Sequence, residues 1–242
     1  MSLRTDYDLW HKQVYESDVR HNDASSPWYS LVREKIGSVA GLSILEVACG
    51  RGGFVYELSQ AGARVTGCDF SQEALRVGSE KLRRARSGRA ASLVQGDVAQ
   101  LPFASNSFDI VVSCETIEHV PDVESAAREM FRVARRGGRL LLTTPNYANF
   151  MGLYELYARV RHPNRKDGQP FDRRQWFPQV RRYLRRAGWE IMDTDGTVHQ
   201  FPFVPGHNPV EFPALERNKT IRKLLSIFAF HYCVMARKAG SN

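Results

Sequence analysis

The chain of 242 residues predicts an α/β fold in which a mostly parallel sheet carries helices on both faces. Short apolar, β-branched runs recur from Ser43 onward, and segments of helical period, roughly 10–15 residues long, separate them. Strands spaced in this way form βαβ units with right-handed crossovers. Several of the runs are apolar throughout, which is typical of strands that are covered on both sides.

The first part of the chain predicts five strands and the helices that connect them. The strands are expected over 44–49, 63–70, 91–97, 108–115 and 139–145, and the helices over 52–60, 72–86 and 123–134. Ser71 is a typical N-cap for the second helix, and Gly137 with Gly138 favours a turn before the fifth strand. Such a sheet binds its ligand beyond the carboxyl ends of its strands, so the residues after each strand are the candidates for chemistry.

Residues 1–242 are expected to fold as a single domain, since α/β domains of this length often do. Its parts are N-terminal helices (1–40), a cofactor-binding core (43–146), an aromatic, basic insert with its helix (147–188) and two closing strands (189–238). The outer elements are expected as helices over 5–21, 27–39 and 177–187 and as strands over 189–198 and 227–238. Tyr154 and Tyr157 share one helical face of the insert, a pattern that favours core packing over a binding surface.

The net charge of +8 is concentrated in one segment. Residues 159–186 contain ten Lys or Arg and two Asp or Glu. Such a segment can attract an anionic acceptor, a nucleic acid or a membrane surface, and with the apolar Leu224–Phe230 it leaves open a peripheral membrane contact. The alternative is a solvated helical face whose arginine stems cover apolar surface.

Composition and cysteine usage indicate a globular cytoplasmic protein. The apolar content is 43% and the charged content 25%, and the first residues lack the apolar region of a signal peptide. The longest apolar stretch is too short for the roughly 20 residues that cross a bilayer. The four cysteines are far apart and without metal-ligand spacing, so we expect buried, reduced thiols and no metal site.

The first predicted strand runs into a glycine-rich turn, Glu46-Val47-Ala48-Cys49-Gly50-Arg51-Gly52-Gly53. Glycines at a strand-to-helix turn let the backbone approach a nucleotide cofactor closely. The spacing differs from the G-x-G-x-x-G of dinucleotide sites, and the carboxylate of Glu46 is poorly suited to face a pyrophosphate. It suits a cofactor that carries an ammonium group and no phosphate.

Two more acidic residues follow the next two strands. Asp69 closes the second strand, where a carboxylate can accept hydrogen bonds from both ribose hydroxyls. Asp97, in the sequence Gly96-Asp97-Val98, follows the third strand and can accept from an adenine amino group. Any one of these acidic residues is often only a helix cap, but three at successive strand ends predict an adenosyl site.

The stretch from Ser43 to Asn146 resembles the class I S-adenosylmethionine-dependent methyltransferases, particularly the small-molecule branch with the ubiquinone-pathway O-methyltransferases. The resemblance lies in ILEVACGRGGF, VTGCDFS, QGDVAQLPFASNSFDIVVS, SCETIEHVPD and REMFRVARRGGRLLLTTPN, in order and spacing. It covers about 100 of the 242 residues, with Ala48 standing where the family more often has glycine. It implies a Rossmann-like three-layer sandwich, with a seven-stranded, mostly parallel sheet whose last strand is antiparallel.

The resemblance also implies a cofactor, S-adenosyl-L-methionine, with S-adenosyl-L-homocysteine as its product. Glu46, Ala48 and Gly50 would line the methionine moiety, and Gly52 would lie at the helix turn. The remaining cofactor-binding residues would be Asp69 at the ribose, Phe70, Asp97 and Val98 at the adenine, and Cys114 and Glu115 at the methionine end. The N-terminal helices would form a lid over the cofactor.

His119, after the fourth strand, is the candidate general base. Methyl transfer from a sulfonium mainly requires alignment, but a hydroxyl nucleophile of high pKa also gains from a base. An unperturbed histidine pKa near 6.5 suits that work at neutral pH. The alternative is that His119 packs against the cofactor or caps the following helix without moving a proton.

The acceptor is expected in a pocket under the insert, as a small molecule of sugar, polyketide or quinone type that is methylated on a hydroxyl. An anionic acceptor is left open. One alternative is an RNA or DNA methyltransferase, or an N-methyltransferase, that uses the basic segment. A nucleic acid is disfavoured as the acceptor because enzymes that methylate base nitrogens often have an Asn-Pro-Pro-Tyr type motif after strand four, and this chain has SCETIEHV there. A further alternative is a non-catalytic module that only binds an adenosyl ligand. The oligomeric state is not predicted.

Overall fold

A computed structural model describes residues 2–17, 25–85, 90–161, 169–201 and 210–240 of the chain. Within these residues, seven strands form one sheet in the order β3-β2-β1-β4-β5-β9-β6. The strands are β1 (Ser43–Val47), β2 (Arg64–Asp69), β3 (Ala91–Gln95), β4 (Phe108–Cys114), β5 (Ala134–Pro145), β6 (Trp189–Thr197) and β9 (His231–Lys238). β1 to β5 pair in parallel, and β9 runs antiparallel to both β5 and β6. The predicted seven-stranded, mostly parallel sheet with an antiparallel last strand is confirmed.

Helices cover both faces of this sheet and extend beyond it. They are α1 (Leu3–Ser17), α2 (Pro27–Ile36), α3 (Gly53–Gln60), α4 (Gln72–Arg84), α5 (Val123–Val133), α6 (Phe150–Arg161), α7 (Phe177–Arg186), α8 (Pro213–Arg217) and α9 (Lys219–Leu224). A small hairpin, β7 (Gln200–Phe201) with β8 (Val210–Glu211), lies outside the main sheet. Among the described residues, no helix combines the length and apolar character required to span a membrane.

The sheet separates two apolar cores. This agrees with the prediction that strands which are apolar throughout are covered on both sides. Leu45 of β1 packs with α5 and α7 on one face, through residues such as Met130 and Leu184. Its neighbour Ile44 packs on the other face with α2, α3 and α4. Successive strand side chains point to opposite faces, so one strand contributes to both cores. All four cysteines are buried and unpaired, as predicted.

Two strands begin several residues away from the predicted positions, β5 earlier and β9 later. Gly137 and Gly138 do not form a turn before β5 but lie inside it, in a bulge between the pairs Phe108–Ala134 and Ile110–Arg139. A glycine with positive φ, such as Gly137 at 74°, fits a bulge as well as a turn, so the sequence alone does not distinguish them. The last strand begins at His231 and not at residue 227, because Ser226–Phe228 forms a turn of 3₁₀ helix.

The basic segment 159–186 is only partly described, since residues 162–168 lie outside the described ranges. Its second half is α7, which buries Val180 and Leu184 against the sheet. Arg182, Arg185 and Arg186 are exposed on the opposite side of this helix. Over α7 the basic side chains therefore form a solvent-exposed face opposite the buried one.

Candidate functional site

A cavity of about 280 Å³ opens at the carboxyl ends of the parallel strands, where β1 and β4 lie side by side. Strand order reverses at this point, and ligands of open α/β sheets bind in the crevice it leaves. Most of the predicted site residues line the cavity, namely Ala48, Gly50, Asp69, Phe70, Asp97, Val98, Cys114, Glu115 and His119. Glu46 and Gly52 do not line it.

The loop from β1 to α3 holds its backbone in a left-handed conformation at several positions. Gly50 has φ 52° and Gly52, which precedes α3, has φ 66°. Ala48 has φ 54°, in a region where a Cβ atom is strained and glycine is preferred. The alanine that stands where the family more often has glycine therefore places strain on the backbone of this loop.

Asp69 fixes this loop to β2. One carboxylate oxygen accepts from the Gly50 N–H at 2.7 Å, and the other accepts from the Ser71 N–H at 2.8 Å. The side chain is buried, and burial raises the pKa of Asp69 to about 6. Each oxygen has a second lone pair, so Asp69 can still accept hydrogen bonds from ligand hydroxyls.

Glu46 lies beneath the cavity and reaches it through Tyr29. The Tyr29 hydroxyl donates to Glu46 Oε1 at 3.2 Å, and Tyr29 itself lines the cavity. Burial raises the pKa of Glu46 to about 8, and Oε2 is buried without a hydrogen-bond partner in the structure. Sequence reasoning missed Tyr29, because an aromatic residue in α2 is an ordinary core residue.

The far end of the cavity is built from the residues after β2 and β3. Asp97 is exposed and accepts from the Ala99 N–H at 2.8 Å, while Val98 and Phe70 supply apolar surface. The Phe70 ring meets the edge of Tyr7 from α1, with ring centroids 6.4 Å apart. A flat heterocycle with an exocyclic amino group fits this combination.

The described lining suits S-adenosylmethionine better than a dinucleotide. It contains carboxyl groups to accept from hydroxyl and amino groups, and no lysine or arginine to hold a pyrophosphate. Glu115, which lines the cavity, has a buried oxygen without a hydrogen-bond partner in the structure, and a donor on the ligand would satisfy it.

Comparisons with known proteins identify the kind of domain that contains this cavity. Residues 45–142 match the family model described as "Methyltransferase domain". The demethylmenaquinone methyltransferase of Staphylococcus aureus is 37% identical over 142 residues, which cover 56% of this chain and 58% of the relative. That of Lactococcus lactis is 29% identical over 162 residues, which cover 64% and 62%. Residues 45–142 are a class I methyltransferase domain. The resemblance seen in the sequence is confirmed there, and the chain spans about three fifths of these curated relatives.

Solved structures share the fold of the methyltransferase domain over nearly the whole chain. A protein from Thermotoga maritima, described as a possible histamine N-methyltransferase, has a TM-score of 0.66 at 16% identity and covers 98% of this chain and 100% of its own. The [4+2]-cyclase SpnF has a TM-score of 0.66 at 19% identity, covering 99% of this chain and 96% of its own. At these identities the likeness shows the fold alone, and SpnF is described as a cyclase.

Helix α1 lies over this cavity. Tyr7, Trp10 and His11 line the cavity, so α1 lies at the position that the predicted N-terminal lid would take. Asp8 accepts from the Ser71 hydroxyl at 2.6 Å and so ties α1 to the start of α4. The Tyr7 hydroxyl donates to the Phe171 carbonyl at 3.3 Å, which connects the lid to the insert.

A second chamber of about 340 Å³ adjoins the cofactor cavity under the insert. Trp10, Glu115, His119 and Gln169 line both spaces. The rest of its described lining is Ser26, Trp28, Glu118, Pro145, Tyr147 and Asp172. The described residues thus enclose two adjoining spaces that share four lining residues.

His119 lies where the two spaces meet. Its Nδ1 is 2.8 Å from the Phe171 carbonyl oxygen, and its Nε2 is 3.7 Å from Glu118 Oε1. A carbonyl can only accept, so the ring hydrogen is on Nδ1 and the lone pair is on Nε2. Burial lowers the pKa of His119, which keeps the ring neutral at neutral pH.

Two carboxyl groups beside His119 are fixed by partners that the sequence did not indicate. His231 of β9 lies with Nδ1 2.8 Å from Glu115 Oε2, and the Thr144 hydroxyl donates to Glu118 Oε2 at 2.9 Å. Burial raises the pKa of Glu118 well above its usual range. Glu118 directly precedes His119 in the sequence, which is a weak indication that it belongs to the site. His231 lies in a distant strand, and nothing in the sequence indicates that it meets Glu115.

Proposed function

We propose that this chain transfers the methyl group of S-adenosyl-L-methionine to a hydroxyl of a small molecule held in the second chamber, with a sugar, a polyketide or a quinone-like ring as the acceptor. The observation that carries the proposal is the position of His119 between the two spaces, with a neutral ring and a free lone pair on Nε2. Bound S-adenosylmethionine supplies an electrophilic methyl group on a sulfonium. His119 Nε2 accepts the proton that the acceptor hydroxyl loses.

The proposed cofactor contacts follow the cavity wall. Asp69 accepts hydrogen bonds from the ribose hydroxyls. Asp97 and Val98 contact the edge of the adenine, and Phe70 packs beside the adenine ring. Gly50 and Ala48 bring the backbone close to the methionine portion, and Glu46 acts on it through Tyr29. Cys114 and Glu115 lie at the end that faces the second chamber.

The chamber lining favours a neutral acceptor over an anionic one. Its described residues include three carboxyl side chains, Glu115, Glu118 and Asp172, and no lysine or arginine. Burial favours the neutral form of Glu118, and no cation in the described lining attracts phosphate, so the same lining disfavours a nucleic acid as the acceptor. Trp10, Trp28 and Tyr147 supply ring-stacking surface. The quinone-pathway relatives support a ring-shaped acceptor, and the buried, unpaired thiols support a cytoplasmic enzyme.

Isothermal titration with S-adenosylhomocysteine tests the cofactor site first. We expect binding, and we expect Asp69→Asn to weaken it by about 1.5–3 kcal/mol, the worth of hydrogen bonds to a charged group. Because Asp69 also holds the loop, thermal unfolding of the variant without ligand separates lost contacts from lost folding. No binding of either S-adenosylmethionine or S-adenosylhomocysteine would leave only a domain that keeps the fold without the cofactor.

Methyl transfer is tested with methyl-labelled S-adenosylmethionine and a panel of hydroxylated rings, including reduced quinones, phenols and sugars, against matched amines and an RNA transcript. Label recovered as a methyl ether, identified by mass spectrometry, supports the proposal. Label recovered on amines or RNA alone contradicts it. Cofactor binding without transfer to any acceptor points to a binding module or to chemistry of another kind on this fold.

A further inference from the structure

The outer face of α6 carries apolar side chains at helical spacing that point to solvent. Leu153, Leu156, Tyr157 and Val160 are 58%, 62%, 57% and 78% exposed. Their spacing of three and four residues places them in one stripe along the helix. Met151 and Ala158 are buried on the inner side. Tyr157 was expected in the core, and its exposure overturns that interpretation.

The stripe continues into an apolar groove on the same side of the molecule. The groove, of about 590 Å³, is lined by Phe150, Leu153, Leu156, Trp176 and Phe228, among others. The rings of Phe150 and Phe228 stack with centroids 6.4 Å apart, which joins α6 to the turn before β9. In that turn and the helix before it, Leu224 is 74% and Ile227 is 40% exposed. We call the stripe, the groove and these two residues the apolar surface.

Basic side chains accompany the apolar surface. Arg159 and Arg174 line the groove, and Arg161 is exposed at the end of α6. Lys219 and Lys223, on the helix that precedes Ile227, pair with Glu34 and Asp193 and remain 73% and 55% exposed. Isolated exposed apolar residues are ordinary on a protein surface, but a contiguous apolar patch with a basic border indicates an interaction site.

We propose that the apolar surface docks this protein on a bilayer of anionic phospholipid. A helix with an apolar stripe and arginines beside it lies in the plane of the interface, its apolar face among the acyl chains and its charges at the headgroups. The twelve residues of α6 give about 18 Å of such contact. Trp176 and Tyr157 are the residue types that prefer the interface. A second copy of the chain is disfavoured as the occupant, because it would bring two basic borders together.

Docking on this surface also has a consequence for the acceptor chamber. Tyr147 lines both the groove and the chamber. The groove that would meet the bilayer therefore adjoins the chamber at Tyr147. The docking itself requires neither cofactor nor methyl transfer, so its test is independent of the proposed activity.

The test is flotation of the full chain with two kinds of vesicle, phosphatidylcholine alone and phosphatidylcholine with three parts in ten phosphatidylglycerol. We expect flotation with the anionic vesicles at low salt and a loss of it at high salt. The double variant Leu156→Ser/Val160→Ser should lower the vesicle-bound fraction about ten-fold or more, since both side chains leave the acyl region. Arg159→Gln/Arg161→Gln should lower binding to anionic vesicles only.

The matched control is Met192→Ser, which changes an exposed apolar residue of β6 outside the apolar surface and should leave flotation unchanged. All five substituted side chains are exposed, and unchanged thermal unfolding confirms that the variants fold. Failure to float with anionic vesicles at low salt overturns the proposal, and so does equal flotation of the Leu156→Ser/Val160→Ser variant. Sedimentation that shows a lipid-free dimer, abolished by the same double variant, assigns the surface to a second copy instead.

Discussion

Nδ1 of His119 lies 2.8 Å from the carbonyl oxygen of Phe171, and this contact joins the loop after β4 to the insert. The Tyr7 hydroxyl from α1 donates to the same carbonyl. One backbone oxygen therefore connects the lid, the insert and the proposed base. Any ordering of α1 over a bound cofactor acts directly on the segment that sets the tautomer of His119.

Replacing His119 with alanine should slow methyl transfer about 10²–10⁴-fold, the usual contribution of a general base. Affinity for S-adenosylhomocysteine should change little, because the hydrogen bonds assigned to the cofactor come from other residues. Single-turnover kinetics and titration calorimetry measure the two effects separately. His199→Asn, which removes a buried histidine outside both spaces, is the control. Unchanged turnover in the His119 variant would show that His119 is not the general base and has only a packing role.

The pH dependence of methyl transfer follows from the same residue. The neutral ring is the active form, and burial lowers the pKa of His119 below its usual 6.5. The rate should therefore hold down to pH 6.5 and decline only as the pH falls further, through the pKa of the folded protein. A profile of kcat/KM against pH tests this, and a decline already centred at or above pH 7 would contradict it.

Replacing Ala48 with glycine should stabilise the fold. A residue with a Cβ atom is strained by about 1–2 kcal/mol in the left-handed region, and glycine removes this strain. Glycine also raises the conformational entropy of the unfolded chain, which opposes part of the stabilisation. We therefore expect a net stabilisation of about 1 kcal/mol. Urea unfolding measures it. Gly62→Ala, at φ 88°, should destabilise the protein for the same reason and serves as the reverse control. A destabilised Ala48→Gly variant would show that the Cβ atom packs usefully.

Much of the core was predictable because its signals are local. Apolar runs, the Ser71 cap and strand-end carboxylates identify the sheet and place Asp69 and Asp97 at one cavity, since parallel strands end at the same edge. Glu46 shows the limit. The sequence places a carboxylate near the strand end, but only the packing of α2 reveals that Tyr29 stands between it and the cavity.

The acceptor side was less predictable, since its contacts join distant segments. His231 meets Glu115 across 116 positions of sequence, and Phe171 meets His119 across 52. No periodicity encodes such pairs. The α6 stripe shows a different limit: a helical pattern of apolar residues predicts one apolar face but does not say whether that face meets the core or the exterior.

Replacing Glu46 with glutamine should change how stability depends on pH. The folded protein holds a proton on Glu46 up to about pH 8, whereas the unfolded chain releases it near pH 4.5. Stability of the natural protein should therefore decline between these values, by at most about 1.4 kcal/mol per pH unit from this group. Glutamine keeps the hydrogen bond from Tyr29 and cannot ionise. Urea unfolding should find the variant more stable than the natural protein at pH 8 and equal to it near pH 4.5; a parallel offset at both values would contradict this.

Replacing Arg222 with alanine should destabilise the protein by about 3 kcal/mol, because it breaks a buried ion pair between α9 and β6. Arg222 donates to Asp195 at 3.1 and 2.8 Å, and it donates to both oxygens of Glu34 at 3.0 Å. Asp195 has only 2% of its side chain exposed, so removing the guanidinium leaves a buried carboxylate with Lys35 as its remaining cationic partner. Urea unfolding at neutral pH measures the loss.

Lys219 is the matched control for Arg222, because it lies on the same helix and also pairs with Glu34, but is 73% exposed. Lys219→Ala should cost less than about 1 kcal/mol. Burial alone would raise the pKa of Asp195, but its hydrogen bonds from Arg222 and Lys35 outweigh burial and lower it. The contribution of Asp195 is therefore complete above pH 3.8, the unfolded value, and is lost as the pH falls through the lower folded pKa. Equal losses for the two variants at pH 7 would show that burial of the pair adds nothing to its strength.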